Sequence, residues 1–228
     1  MDISLNSYSK TDEAHVVVPW GVTTICAGVF RRHREIESVE LPDTVTCIGD
    51  DAFNGCTSLV SVNLPSSLTK LGTRAFRNCT SLKEVDIPES LDAIGAYAFS
   101  LCSSLECVTG GMGLYGIERD AFTGCKNMAV CEPLGLAIDI ADGAFRSCAA
   151  LECVELLEHM VYIGRNAFTQ CKGLKSVRMP VQVDEELASA LFSGCTALET
   201  IEVSEELRER FPLAFPQGVQ FVFQGEGQ

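Results

Sequence analysis

CTSLVSVNLPSSLTKLGTRAF, residues 56–76, is the clearest copy of a pattern that the chain repeats along most of its length. Phenylalanine recurs every 23 residues, with one final step of 24, at Phe30, Phe53, Phe76, Phe99, Phe122, Phe145, Phe168 and Phe192. From the second copy onward a cysteine follows three residues later, at Cys56, Cys79, Cys102, Cys125, Cys148, Cys171 and Cys195. A fixed period in this range is typical of a solenoid, in which stacked copies bury an apolar face that one copy cannot bury alone.

Each copy contains two stretches that read as strands. In residues 59–64, apolar residues at Leu59, Val62 and Leu64 alternate with polar ones, which predicts a half-buried strand ended by Pro65. Residues 68–71 predict a second, shorter strand, and residues 73–78 a short helical turn that carries Phe76 inward. Equivalent strands of successive coils then pair in parallel, about 4.8 Å apart.

The repeat CTSLVSVNLPSSLTKLGTRAFRNC resembles the BspA-type leucine-rich repeat, whose pattern is a Cys, LxxVxLP, an Ile-Gly step and AFxxC. The resemblance extends over about residues 13–203. It implies an α/β fold: a right-handed solenoid of 23-residue coils, with a parallel β-sheet on the concave face and short strands and helical turns elsewhere. It also implies protein or surface binding, and it supplies no catalytic residues to carry over.

The ends of the chain depart from the repeat and predict three segments. Residues 1–29 are interpreted as an N-terminal cap with a degenerate first coil, in which Val16 and Val18 face inward and Trp20 covers the open end. Residues 30–203 are the repeats, and residues 204–228 a C-terminal cap and tail. Short helices are predicted over 184–191 and 204–210, and a last strand over 219–223.

Composition and cysteine usage bear on the compartment. No apolar run approaches the 18 residues of a membrane span, and the N-terminus lacks a basic start and an apolar core, so we predict no signal peptide. A reducing, cytoplasmic location follows as the expectation, with the 12 cysteines as free thiols. Ladder cysteines in stacked coils point the same way, which is poor geometry for a disulfide.

No group of residues predicts catalysis, a metal site or a cofactor. The three histidines are far apart in sequence, and the chain contains no HExxH or GxSxG motif. Residues 111–116 fit GxGxxG, but another 23-residue coil follows them instead of the helix that a dinucleotide site needs. Cys107 and Cys153 fall at outward strand positions two coils apart and are interpreted as unbridged surface thiols.

Acidic residues dominate the outward positions of the predicted concave sheet. Ten acids stand there against Lys83, Lys175 and Arg178, which accounts for half of the net charge of −14. The candidate binding residues are Glu40, Glu84, Asp86, Glu106, Glu132, Glu152, Glu155, Arg178, Glu199 and Glu202. Like charges on adjacent strands cost stability, so this face is either kept for a basic partner or kept polar for solubility. An acidic face disfavours nucleic acid and anionic membrane.

The main hypothesis is therefore a non-enzymatic protein-interaction scaffold that holds a basic protein segment on its acidic concave face. Two alternatives stay open. One is a structural subunit of a larger intracellular assembly, held by its flanks near Leu134 or Leu157 or by its caps. The other is a surface adhesin-like protein. The sequence leaves the protein as a monomer or as a component of a larger complex.

Overall fold

The structure is a computed structural model that describes residues 3–5, 14–132, 136–157, 159–179, 190–203 and 218–223. Its strands are β1 (Ile3–Leu5), β2 (His15–Val17), β3 (Val22–Ile25), β4 (Ser38–Glu40), β5 (Cys47–Ile48), β6 (Ser61–Asn63), β7 (Lys70–Leu71), β8 (Glu84–Ile87), β9 (Ala93–Ile94), β10 (Cys107–Gly110), β11 (Gly116–Ile117), β12 (Val130–Cys131), β13 (Asp139–Ile140), β14 (Cys153–Glu155), β15 (Tyr162–Ile163), β16 (Ser176–Arg178), β17 (Thr200–Val203) and β18 (Gln220–Phe223). Almost no helix occurs in the described part of the chain.

The strands lie on two sides of a parallel β-solenoid, which confirms the predicted fold. The front side carries β2-β4-β6, β8-β10-β12 and β14-β16-β17-β18, and the back side carries β1-β3-β5-β7 and β9-β11-β13-β15. Paired residues in neighbouring coils are 23 apart, as in Val85 and Val108. The extra residue before Phe192 lies outside the strands, because Val177 still pairs with Ile201.

The core consists of side-chain ladders that run along the solenoid. The eight repeat phenylalanines from Phe30 to Phe192 are buried. Their rings stack in one continuous column, with centroids 4.9–5.9 Å apart and planes within 17° of parallel. This near-parallel stacking follows from the repeat itself, because each coil presents the same residue at the same height.

The ladder cysteines act as hydrogen-bond donors as well as small apolar residues. Cys56 Sγ donates to the carbonyl of Phe30 at 3.0 Å, and Cys125 Sγ donates to that of Phe99 at 3.1 Å. The other five ladder thiols donate in the same way to the phenylalanine of the preceding coil, at 3.1–3.3 Å. Each of these carbonyls is buried beside the ring stack, where an unpaired acceptor would be costly.

The third side of each coil differs from the predicted helical turn. Arg74, Phe76 and Asn78 each donate their N–H to the next coil at 2.8 Å, while Ala75 and Arg77 donate within their own coil. This alternation needs a left-handed backbone at Arg74 and Asn78, whose φ angles are 58° and 60°. Helical hydrogen bonds would all run along the chain, so the inter-coil bonds replace the expected helical geometry.

The ends of the solenoid bear out part of the prediction. Val16 and Val18 are buried as expected, but Trp20 is 77% exposed and does not cover the first coil, so that expectation was wrong. Residues 3–5 instead add a strand, β1, to the edge of β3, and β18 pairs with β17 as the predicted last strand. The predicted helix over 204–210, and all but the last two residues of the one over 184–191, lie outside the described residues. The segment boundaries at residues 29 and 203 stay predictions.

Candidate functional site

The outward side chains of the front sheet form three columns along the solenoid. The first column follows the buried valine of each coil and runs Glu40, Asn63, Asp86, Thr109, Glu132, Glu155, Arg178, Glu202. The second column precedes that valine and runs Ser38, Ser61, Glu84, Cys107, Val130, Cys153, Ser176, Thr200. The third column follows the buried leucine position and runs Glu37, Val60, Lys83, Glu106, Ala129, Glu152, Lys175, Glu199.

This register corrects the expectation that acids stack on one another. In the third column a neutral or basic residue separates every pair of acids, and in the first column Asn63 separates Glu40 from Asp86. Only Glu132 and Glu155 are sequence-adjacent acids within one column. The face therefore carries its negative charge with little direct repulsion between strands, and the cost of like charges is a weak argument for a partner.

Local contacts neutralise the C-terminal half of this face. Lys175 Nζ lies 2.9 Å from Glu152 Oε2, and Arg178 Nε lies 3.6 Å from Glu202 Oε1. Further along, Glu132 accepts a hydrogen bond from the backbone N–H of Gly110 at 2.8 Å. Four of the ten predicted binding residues are thus engaged with each other or with a basic neighbour, and Glu132 with the backbone.

A groove of about 690 Å³ opens in the N-terminal half of the face, across β4, β6, β8 and β10. Three predicted site residues, Glu40, Glu84 and Asp86, line it, and no lysine or arginine is among the described lining residues. Its floor is low because Ser38 and Ser61 fill the second column with short side chains. The sequence reading included the three acids but missed the groove, whose signal is this pair of serines.

The charge of the groove acts on its neighbours. Asp86 accepts a hydrogen bond from the Thr109 hydroxyl at 2.8 Å. Burial raises the pKa of the Cys107 thiol, and the nearby charges of Glu132 and Glu84 raise it further. A negative potential that disfavours a thiolate favours a cation, so the groove is suited to a lysine or arginine side chain.

The remaining predicted residues lie on the same face beyond the groove. Glu106, Glu152, Glu155 and Glu199 are exposed, and Arg178 and Glu202 are half-buried. Their side chains spread over several coils, so they form a surface and not a pocket. Cys153 is exposed and Cys107 half-buried, as expected for outward positions.

The GxGxxG stretch is explained by coil packing. A Cβ on Gly113 would lie 2.1 Å from the Glu89 carbonyl oxygen, and one on Gly110 would lie 2.3 Å from that of Ile87. The glycines allow the fifth coil to approach the fourth. Among the described residues, no group of three or more His, Cys, Asp or Glu side chains could hold a metal ion. No helix in the described ranges is long and apolar enough to cross a membrane.

A family model for the BspA-type leucine-rich repeat region matches six copies over residues 1–129 and 138–220. The chain belongs to the BspA-type leucine-rich repeat family. Proteins of this family are generally non-catalytic binding scaffolds, so this membership assigns protein binding in the general sense. No curated protein matches the chain.

Solved structures of bacterial leucine-rich repeat proteins share the fold of this family member. The pneumococcal vaccine antigen PcpA superposes with a TM-score of 0.55 at 19% identity, over 93% of this chain and 74% of that chain. A leucine-rich cell surface protein from Faecalibacterium prausnitzii gives 0.44 at 20% identity, over 99% and 91%. The leucine-rich repeat protein of T. pallidum gives 0.43 at 27% identity, over 85% and 73%.

Proposed function

We propose that this protein is a non-enzymatic scaffold that holds a basic segment of a protein partner in its front groove. The observation that carries the proposal is the lining of the groove: Glu40, Glu84 and Asp86 project from β4 and β8, with no basic residue among the described lining. An extended segment crossing four parallel strands would place a lysine or arginine beside these acids. Solubility is the competing explanation of the same charges.

The test compares two sets of three neutralised acids. The groove variant is Glu40→Gln, Glu84→Gln and Asp86→Asn, and the control is Glu152→Gln, Glu155→Gln and Glu199→Gln, which removes the same charge from the same face outside the groove. Each surface charge contributes about 0.5 kcal/mol, so the groove variant should bind a basic partner about tenfold more weakly. The control should change affinity by less than about threefold.

The measurement is affinity purification of the tagged protein from its own cells, at low and high salt, followed by titration of the captured partner. A basic partner that is lost at high salt and bound weakly by the groove variant supports the proposal. Equal binding by both variants, with lower solubility of each, would assign the acids to solubility alone.

Location is a separate proposal. We infer a reducing, intracellular compartment, because seven ladder thiols are needed as hydrogen-bond donors to the phenylalanine carbonyls and oxidation would remove them. A surface adhesin-like role is the alternative, and two of the structural neighbours are named as a cell surface protein and a vaccine antigen. Labelling of intact cells with a membrane-impermeant amine reagent tests it, since labelled protein would place the chain outside.

A further inference from the structure

The back side of the solenoid carries an apolar surface in its later coils. The backbone N–H of Ile138 donates to the carbonyl of Tyr115 at 2.9 Å, and that of Val161 donates to Ile138 at 2.8 Å. These three residues therefore occupy equivalent positions on adjacent coils. Tyr162 follows in β15 and Leu136 precedes β13. We call Tyr115, Leu136, Ile138, Val161 and Tyr162 the back patch.

The same column is polar in the earlier coils. Thr23, Thr46 and Thr69 precede it in order, joined by backbone hydrogen bonds of 2.9 Å, and Asp92 then donates its carbonyl to Tyr115 at 2.8 Å. A position that holds threonine or aspartate in four coils is an outward position whose natural occupant is polar. Its change to Tyr, Ile and Val in three consecutive coils makes a contiguous patch and not scattered exposure.

The patch is open to solvent. Val161 is 78% exposed, Tyr115 57%, Tyr162 51% and Leu136 38%. Together they expose on the order of a few hundred Å² of apolar surface, the size at which patches on soluble proteins mark interaction sites. The coils that carry the patch also lose the proline of the earlier coils, since Pro42, Pro65 and Pro88 give way to Gly111, Leu134 and Leu157.

Charges around the patch indicate the chemistry of its partner. Asp92 and Asp139 lie in the strand columns, and Asp142 accepts a hydrogen bond from the Tyr162 hydroxyl at 3.5 Å. Arg119 and Arg165 flank Asp142 on the side toward the turns. Within the described residues, Asp139 Oδ1 is buried without a hydrogen-bond partner. The patch thus offers an unmatched acceptor, and a net charge of −14 opposes a second copy of the same chain.

The length of the patch matches a helical segment. From Tyr115 to Val161 the column spans two coil spacings, about 10 Å at about 4.8 Å each. Two turns of an α-helix cover nearly the same distance, about 11 Å. An amphipathic helix with apolar residues at i, i+3 or i+4, and i+7 would place one side chain against each coil of the column.

We propose that the back patch is a second protein-binding surface, and that it takes an amphipathic helix of a partner protein whose apolar strip is bordered by lysine or arginine. This surface lies on the opposite side of the solenoid from the acidic groove. The protein then has two separate faces, one that binds through charge and one that binds through apolar contact. This proposal does not depend on the groove being a binding site.

The repeat itself supplies the test variant. Tyr115→Thr, Ile138→Thr and Val161→Thr restore the threonine of the earlier coils, so the fold should be kept and the circular dichroism spectrum unchanged. The control is Val17→Thr, which removes a 66% exposed apolar residue away from the patch. The groove variant described above is a second control.

The probes are three fluorescent synthetic peptides of equal length, measured by anisotropy. One is an amphipathic helix with leucines bordered by lysine, one has glutamate in place of lysine, and one is the scrambled lysine peptide. The wild-type protein should bind the first at least tenfold more tightly than the other two. The threonine variant should lose that binding at least tenfold, while Val17→Thr and the groove variant keep it.

Three results would overturn the proposal. Equal binding of the lysine peptide by the wild type and the threonine variant would show that the patch is not the site. Equal binding of the lysine and scrambled peptides would show that only charge is recognised. A concentration-dependent dimer of the wild type in sedimentation velocity, lost in the threonine variant, would assign the patch to a second copy of this chain.

Discussion

Removing one ring from the middle of the phenylalanine stack should cost more than removing one from its end. Phe122 is fully buried, and its ring stacks at 5.5 Å on Phe99 and at 5.4 Å on Phe145. Truncation of a buried phenylalanine to alanine costs about 4 kcal/mol, and each stacked pair adds about 1 kcal/mol. Phe192 ends the described stack and is stacked on Phe168 alone, at 5.9 Å. We expect Phe122→Ala to cost about 5 kcal/mol and Phe192→Ala about 1 kcal/mol less.

The assay is urea unfolding followed by circular dichroism, with hydrogen exchange read coil by coil. Because each coil contacts only its neighbours, a cavity at coil five should divide the solenoid. Phe122→Ala should therefore unfold in two steps, with faster exchange centred on residues 99–145. Phe122→Leu is the control, since it keeps most of the volume and should cost less than half as much. If Phe122→Ala costs no more than Phe192→Ala, the argument from continuous stacking is wrong.

Three further predictions use the ladders and the strand faces. Burial raises the pKa of Cys56 to about 12, so the stability that this thiol contributes is complete below its unfolded pKa near 9 and falls above it, by about 1.4 kcal/mol per pH unit; Cys56→Ala should remove this part of the alkaline loss in urea midpoints measured from pH 7 to 11. Gly95→Ala should lower the urea midpoint clearly, since its Cβ would lie 2.4 Å from the Leu71 carbonyl oxygen, whereas Gly116→Ala, with its nearest atom at 3.6 Å, should leave it unchanged. Iodoacetamide mass spectrometry on the native protein should modify exposed Cys153 first and the buried ladder thiols only after unfolding.

The fold could be predicted because its constraints repeat. A single coil such as residues 56–76 leaves the roles of Leu59 and Phe76 open, but eight copies in phase show which positions never become polar. The structure confirms the solenoid, the parallel strands and the inward valines from this pattern. The turn side was predicted less well, since the left-handed backbone at Arg74 and Asn78 depends on bonds to the next coil. Local sequence contains no record of those bonds.

The candidate sites were predicted only in part, because both depend on neighbours 23 residues away. Glu40, Glu84 and Asp86 were identified as outward acids, but a groove forms beside them only because Ser38 and Ser61 are short. The back patch was missed although its signal is in the sequence. It appears when Thr23, Thr46 and Thr69 are aligned with Tyr115, Ile138 and Val161. Comparing coils position by position for changes of character, as well as for constancy, would have found it.

The two proposed surfaces should respond to salt in opposite ways, and this follows from their composition. Binding in the groove rests on exposed charges, whose attraction is screened over about 8–10 Å at ordinary ionic strength. Binding on the back patch rests on burial of Tyr115, Ile138 and Val161, which salt does not weaken and which sulfate strengthens. One wild-type sample titrated with a basic partner segment and with the lysine-bordered helix, from 50 to 500 mM salt, should therefore lose the first ligand and keep the second. Parallel loss of both ligands would mean that a single charged surface binds them, and the back patch would then have no separate role.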